Sequence, residues 1–287
     1  MTLNLAHYQI PYKNIHLYLC RLSPGNPEAT NLLVLPMTGS NGNFLAPFGE
    51  EMANNGFRVW MLDLMGHGRS SGIKGIFTME ELIDNVHEAV NFIKEQSETP
   101  IVVMGTHLGA EVAFHSALEN PAIQAVICHN LLLSCELSFN WLMRLAKSPL
   151  APVLARTFLP WVELEKIFDH QLLFDDPGLL VKFRQDPLRV SRYETLSYLS
   201  VFSWRPKRSL GEMSARVLLI CGEKGRLIPV KHQERVYQKL CQNGFNVQLA
   251  VLRGAGNQIL LEQTTETAKL IKDWSATLTT VTQEVAR

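Results

Sequence analysis

The chain has 287 residues, 46% hydrophobic and 19% charged, with 27 basic and 27 acidic side chains and no net charge. That apolar share buries a large core and excludes a disordered chain. The charge balance, without basic blocks, excludes nucleic acid as a partner, because phosphate binding needs clustered Lys and Arg.

In chain order, Met1 to Cys20 lack the charged start and continuous apolar stretch of a secretory leader. The longest fully apolar runs, such as Val217 to Cys221, fall far short of the roughly 20 residues of a membrane span. The five cysteines Cys20, Cys128, Cys135, Cys221 and Cys241 show no Cys-x-x-Cys spacing, so reduced thiols and a cytoplasmic location are expected.

Ile15–Leu22 and Asn31–Pro36 read as strands, followed by Phe57–Asp63, Pro100–Gly105, Ala125–Asn130, Arg216–Gly222 and Asn246–Leu252. Runs such as Ile101–Met104 and Val217–Ile220 are apolar on both faces, the mark of buried parallel strands. Amphipathic helices are predicted between them at Phe44–Asn55, Met79–Gln96, Leu108–Glu119, Lys231–Asn243 and Gln258–Thr277. Thr78 and Glu81 spell a capping box, and Gly56 and Gly244 stand where left-handed helix ends belong. The alternation predicts an α/β fold, a mostly parallel central sheet flanked by helices.

Leu131 to about Leu210 breaks the rhythm. It holds no strand pattern, six prolines from Pro149 to Pro206 and many aromatics, among them Phe139, Trp141, Phe158, Trp161, Phe168, Phe174, Phe183, Tyr193, Tyr198, Phe202 and Trp204. The expected organisation is a core of 1–130 and 211–287 interrupted by a helical insertion over 131–210. That insertion is either a cap over the carboxyl edge of the sheet, where α/β ligand sites form, or an accessory helical layer.

Gly105-Thr106-His107-Leu108-Gly109 follows a buried strand and opens a helix, the frame of a nucleophile elbow. The run from Gly56-Phe57-Arg58-Val59 through Asp63-Leu64-Met65-Gly66-His67-Gly68-Arg69-Ser70 resembles the Gly-aromatic-x-Val … Asp-x-x-Gly-His-Gly-x-Ser segment of the α/β-hydrolase superfamily. It is most similar to the branch of monoacylglycerol-lipase-like and serine-aminopeptidase-like proteins. The order of parts agrees over nearly the whole chain, ending with Gly222-Glu223 and Gly254-Ala255-Gly256. The resemblance implies an α/β-hydrolase fold with a helical cap.

It also implies three slots for a Ser-Asp-His triad, which here hold His107 for the nucleophile, Gly225 for the acid and Asn257 for the base. The family's oxyanion loop corresponds to Pro36-Met37, before Thr38. Asn257 accepts no proton near neutrality and Gly225 has no side chain, so ordinary serine hydrolysis through these slots is not expected. Glu223 is read as a solvated loop residue rather than a substitute acid. Adjacent Cys128 and His129 point to opposite faces of their strand, which works against a thiol–imidazole pair. His67 belongs to the Gly-His-Gly turn; His7, His16, His87, His115, His170 and His232 have no partner that the sequence reveals. No spacing suits a metal or nucleotide, and no cofactor is expected.

At the elbow, His107 is open to several roles: base, nucleophile, hydrogen-bond donor, or a polar side chain merely tolerated there. A pairing with Asn257 is expected because the two slots face each other. The N–H groups of Leu108 and of the Met37–Thr38 loop should favour an oxyanion or carbonyl oxygen. Three functions follow: a pseudo-hydrolase binding a small apolar, carbonyl- or acyl-bearing ligand; an enzyme of altered chemistry using His107, whether a lyase- or cyclase-type step or residual esterase- or lipase-like hydrolysis; or a protein-interaction subunit. The oligomeric state is left open.

Overall fold

The apolar runs that predict buried strands line up side by side in a computed structural model of the chain, which describes residues 3–136, 148–167, 169–208 and 213–285. The first six strands are β1 (Asn4–Tyr12), β2 (Ile15–Ser23), β3 (Asn31–Leu35), β4 (Arg58–Asp63), β5 (Ile101–Thr106) and β6 (Ala125–His129). Two short strands follow, β7 (Trp161–Glu163) and β8 (Arg192–Glu194), then β9 (Arg216–Gly222) and β10 (Val247–Leu252). Eight strands form one sheet in the order β1-β2-β4-β3-β5-β6-β9-β10, while β7 and β8 pair apart from it. From β4 to β10 all pairs are parallel; β1–β2 and β2–β4 are antiparallel.

Successive side chains of a strand face opposite ways, and here each face meets its own core. Leu33, Leu35 and Val103 join one apolar cluster, whereas Leu32, Val34, Val102 and Met104 join the other. Helices α1 (Ala46–Asn54), α2 (Met79–Gln96) and α3 (Leu108–Glu119) alternate with the strands. The segment between β6 and β9 adds α4 (Ala151–Phe158), α5 (Leu164–Ile167), a 3₁₀ turn (His170–Leu172), α6 (Pro177–Gln185) and α7 (Thr195–Ser203). The chain closes with α8 (Val230–Gln242), α9 (Ile259–Glu262) and α10 (Thr264–Val285). Thr78 and Glu81 make the expected reciprocal capping bonds at α2. Gly56 and Gly244 both have positive φ, at 98° and 80°.

Three expectations need correction. β1 was absent from the predicted elements because Asn4, His7, Gln9 and Pro11 interrupt its apolar pattern; it is an edge strand, where proline and polar residues are tolerated. The insertion does contain strand, since β7 and β8 pair over three residues each, too short a stretch to show a period. The helix expected over Gln258–Thr277 breaks at Gln263, between α9 and α10. Phe139, Trp141, Phe168 and Leu210 lie outside the described residues.

The inserted segment is fastened to the sheet's carboxyl edge by buried polar contacts. The Gly39 N–H donates to the Tyr193 hydroxyl at 2.7 Å, and that hydroxyl lies 3.1 Å from His67 Nε2. His67 Nδ1 lies 3.0 Å from the Met65 carbonyl. A carbonyl only accepts, so His67 carries its proton on Nδ1 and takes the Tyr193 O–H at Nε2. Val190 N–H to Gly39 O and Phe77 N–H to Ser197 Oγ add further ties.

Two outcomes follow. Tyr193→Phe strands the Gly39 N–H and His67 Nε2, and should lower stability by about 2 kcal/mol in chemical denaturation. Burial pulls His67 down from 6.5 to about 4. The unfolded chain therefore binds the proton more readily than the folded one. Stability should be level above about pH 6.5 and fall as the pH drops towards about 4, by on the order of 3 kcal/mol for this group; a flat profile in that window, followed by circular dichroism, would contradict it.

Candidate active site

The turn from β5 into α3 puts His107 at φ 54° and ψ −111°, a conformation that a side-chain-bearing residue adopts only when its surroundings force it. They do so here through two glycines. A Cβ on Gly105 would fall on the Gly109 carbonyl, and one on Gly109 would lie 2.5 Å from Leu35 O and 2.6 Å from Pro36 O. The His107 N–H donates to His129 O at 3.0 Å and its carbonyl accepts from Ala110 at 3.0 Å, locking the turn. This is the strained strand–turn–helix geometry of a nucleophile elbow, with an imidazole at its tip.

Gly225 and Asn257 come together. A Cβ at Gly225 would stand 3.2 Å from Asn257 Oδ1. Asn257 is buried, and backbone groups engage both ends of its amide: Oδ1 accepts from Ile228 N at 3.3 Å, and Nδ2 donates to Leu172 O. The expected His107–Asn257 pair is therefore replaced, because the amide is already bound elsewhere. Glu223 accepts from Gly254 N at 2.7 Å and is exposed, so it holds the following turn.

The partners of His107 are ones the sequence reading passed over. Thr106 Oγ1 lies 3.0 Å from His107 Nδ1 and 2.8 Å from His129 Nδ1. His129 Nε2 lies 3.0 Å from Asn130 Nδ2, which also donates to the Asn257 carbonyl at 3.1 Å. The two imidazole rings meet edge to face, 5.5 Å apart. Burial lowers both: His107 to about 4, and His129 well below its ordinary value. Both are neutral at pH 7. Cys128 turns the other way, with Sγ 3.8 Å from Ala110 O, as strand alternation requires.

Beyond His107 lies a cavity of about 30 Å³, room for one water-sized group, lined by Met37, Thr38, Leu164, Leu173, Leu227 and two imidazoles, His107 and His170. Leu108 is buried and does not line it; its N–H belongs to the first turn of α3, which helix geometry leaves without an intrahelical acceptor. His107 Nε2 has no hydrogen-bond partner among the described residues. Neither ring nitrogen of His170 has one, and Glu165 Oε1 stands 3.9 Å away while paired with Arg189. His170 is also lowered, first by burial and then by Arg189. Its place on a 3₁₀ turn of the insertion left no signal in the sequence. Among the described residues no cluster of three His, Cys, Asp or Glu side chains suits a metal.

Comparison with known proteins agrees with this frame. The sequence has no match among curated proteins. Solved structures match over nearly the full length. A monoacylglycerol lipase of Paleococcus ferrophilus superposes with a TM-score of 0.73 at 21% identity, over 97% of this chain and 100% of that one. A thermostable carboxyl esterase of Bacillus coagulans gives 0.75 at 15%, over 97% and 99%. A monoglyceride lipase of Saccharomyces cerevisiae gives 0.73 at 15%, over 96% and 95%. At these identities the likeness establishes the fold, the α/β-hydrolase fold expected from the motifs. The family model described as serine aminopeptidase, S33, matches residues 27–284, and the chain belongs to that family.

Proposed function

We propose that the protein binds a small apolar ligand carrying a carbonyl or acyl group, without hydrolysing esters by a Ser-His-Asp route. One observation carries this reading: an imidazole occupies the elbow tip against an apolar cavity, while the slots for acid and base hold a glycine and an asparagine bound at both ends. A triad needs a nucleophile, a base to take its proton and a third group to orient that base. Loss of the triad costs on the order of a millionfold in turnover. The structural neighbours named as lipases and an esterase support an acyl or carbonyl compound as the ligand class. The segment 131–210 is read as a cap closing the pocket over a core of 1–130 and 211–287. The five unbridged cysteines support a cytoplasmic location. No helix among the described residues is long and apolar enough to cross a membrane.

A second reading rests on His170. Two neutral imidazoles facing one cavity are suited to acid–base chemistry beside a carbonyl, such as proton abstraction, retro-aldol cleavage or cyclisation.

The test is hydrolysis of short- and medium-chain p-nitrophenyl esters by the wild type and His107→Ala. Both should run at the buffer rate, and an apolar ketone such as 2-octanone should raise the melting temperature of the wild type. Ester turnover that disappears in His107→Ala would overturn the binding reading. For the second reading, turnover of a carbonyl substrate should fall by about a hundredfold or more in both His107→Gln and His170→Gln; equal rates in the wild type and His170→Gln would remove it.

A further inference from the structure

The hydrogen bonds behind His107 fix more than its position. They settle which of its nitrogens carries the proton, and so what the pocket offers a ligand. The deduction starts at Asn130. Its side-chain nitrogen donates to the Asn257 carbonyl, which only accepts, and this identifies that atom as the amide NH₂. The same NH₂ lies 3.0 Å from His129 Nε2, so Nε2 is the bare, accepting nitrogen. A neutral His129 then holds its proton on Nδ1 and donates it to Thr106 Oγ1, 2.8 Å away. The Thr106 hydroxyl has one proton, which is left to donate to His107 Nδ1 at 3.0 Å. A neutral His107 accepts there and carries its own proton on Nε2.

The reverse order would put the His129 proton on Nε2 and have the ring donate to the Asn257 carbonyl. That order sets an N–H of His129 against an N–H of Asn130, two donors 3.0 Å apart. Flipping the Asn130 amide to avoid the clash would place its oxygen against the Asn257 oxygen instead. The first order keeps each of these side-chain hydrogen bonds donor to acceptor and uses the Thr106 proton, which two histidine donors to that hydroxyl would leave unpaired.

We propose that Asn130, His129 and Thr106 form a positioning relay that holds the His107 proton on Nε2, so that the pocket presents an N–H donor and takes a neutral carbonyl oxygen: a ketone, ester or lactone. The inference about the ligand rests on the pocket reading of the preceding subsection; the relay itself does not. His107 is 8% exposed and its Nε2 has no partner among the described residues, in a cavity otherwise lined by Met37, Leu164, Leu173 and Leu227 with Thr38 and His170. A buried N–H left unpaired is costly, and a carbonyl oxygen relieves that cost without bringing in a charge. In this tautomer the lone pair of His107 faces Thr106, so towards the ligand His107 is a proton donor, and in the second reading the base is His170.

The experiment is long-range ¹H–¹⁵N correlation on histidine-labelled full-length protein without added ligand, with the His107 signals assigned by their loss in His107→Gln. The wild type should show a protonated Nε2 and an unprotonated Nδ1. Thr106→Ser, which keeps the hydroxyl, should preserve that pattern. Thr106→Val should lose it and give a mixture of tautomers. The probe 2-octanone should shift the Nε2–H resonance, and should bind Thr106→Val about tenfold more weakly while Thr106→Ser stays within about twofold. A proton found on Nδ1 of His107 in the wild type would overturn the relay, as would a tautomer indifferent to Thr106→Val in protein that remains folded. Intact Nε2–H with no response to 2-octanone would leave the relay standing and overturn carbonyl recognition, together with the ligand reading beneath it.

Discussion

Where α3 leaves β5, backbone packs on backbone. Gly105 and Gly109 hold the strand, the helix and the end of β3 closer than any Cβ permits. The rest of the site depends on that approach. It forces the intervening His107 into a left-handed backbone conformation. It also brings His107 to the wall of a cavity that Met37 and Thr38 line as well. Strain of this kind costs on the order of 1–3 kcal/mol and persists because the strands on either side are buried on both faces. The scaffold that aims a side chain is thus intact, whatever chemistry that side chain performs.

Burial then decides the state of the side chain. His67, His107 and His129 are all enclosed, and desolvation holds each of them neutral. A neutral imidazole is both a donor and an acceptor, so its neighbours select one of two tautomers. The Met65 carbonyl selects for His67, while Asn130 selects for His129 and, through Thr106, for His107. These two networks use hydroxyl side chains, Tyr193 and Thr106, as the joints between imidazoles and the rest of the structure.

Much of this frame was legible in the chain itself. Apolar runs marked five central strands, glycine spacing marked the elbow, and the Thr78–Glu81 pair marked the start of α2. What escaped reading had a common cause: it depends on contacts between distant segments. In the sequence Thr106 is one residue of the elbow run, and His129 stands beside Cys128 in a strand. Only the parallel register, which sets Thr106 beside His129, makes them partners. His170 reaches the pocket from a turn more than sixty residues beyond the elbow, in a segment without periodicity. The failed His107–Asn257 pairing has the same origin, since the backbone groups that engage Asn257 belong to residues 172 and 228.

The size of the cavity carries a kinetic consequence. At about 30 Å³ it admits a single small group, whereas an acyl chain or ring needs several times that space. On the proposed function, a ligand of that class would enter only if the lining around Leu164, His170 and Leu173 gave way. Association would then proceed at the pace of that opening rather than of diffusion, and the apparent affinity would be reduced by the fraction of molecules that are open. On the proposed function, entry and release would share that one passage, so whatever slows the first would lengthen the second.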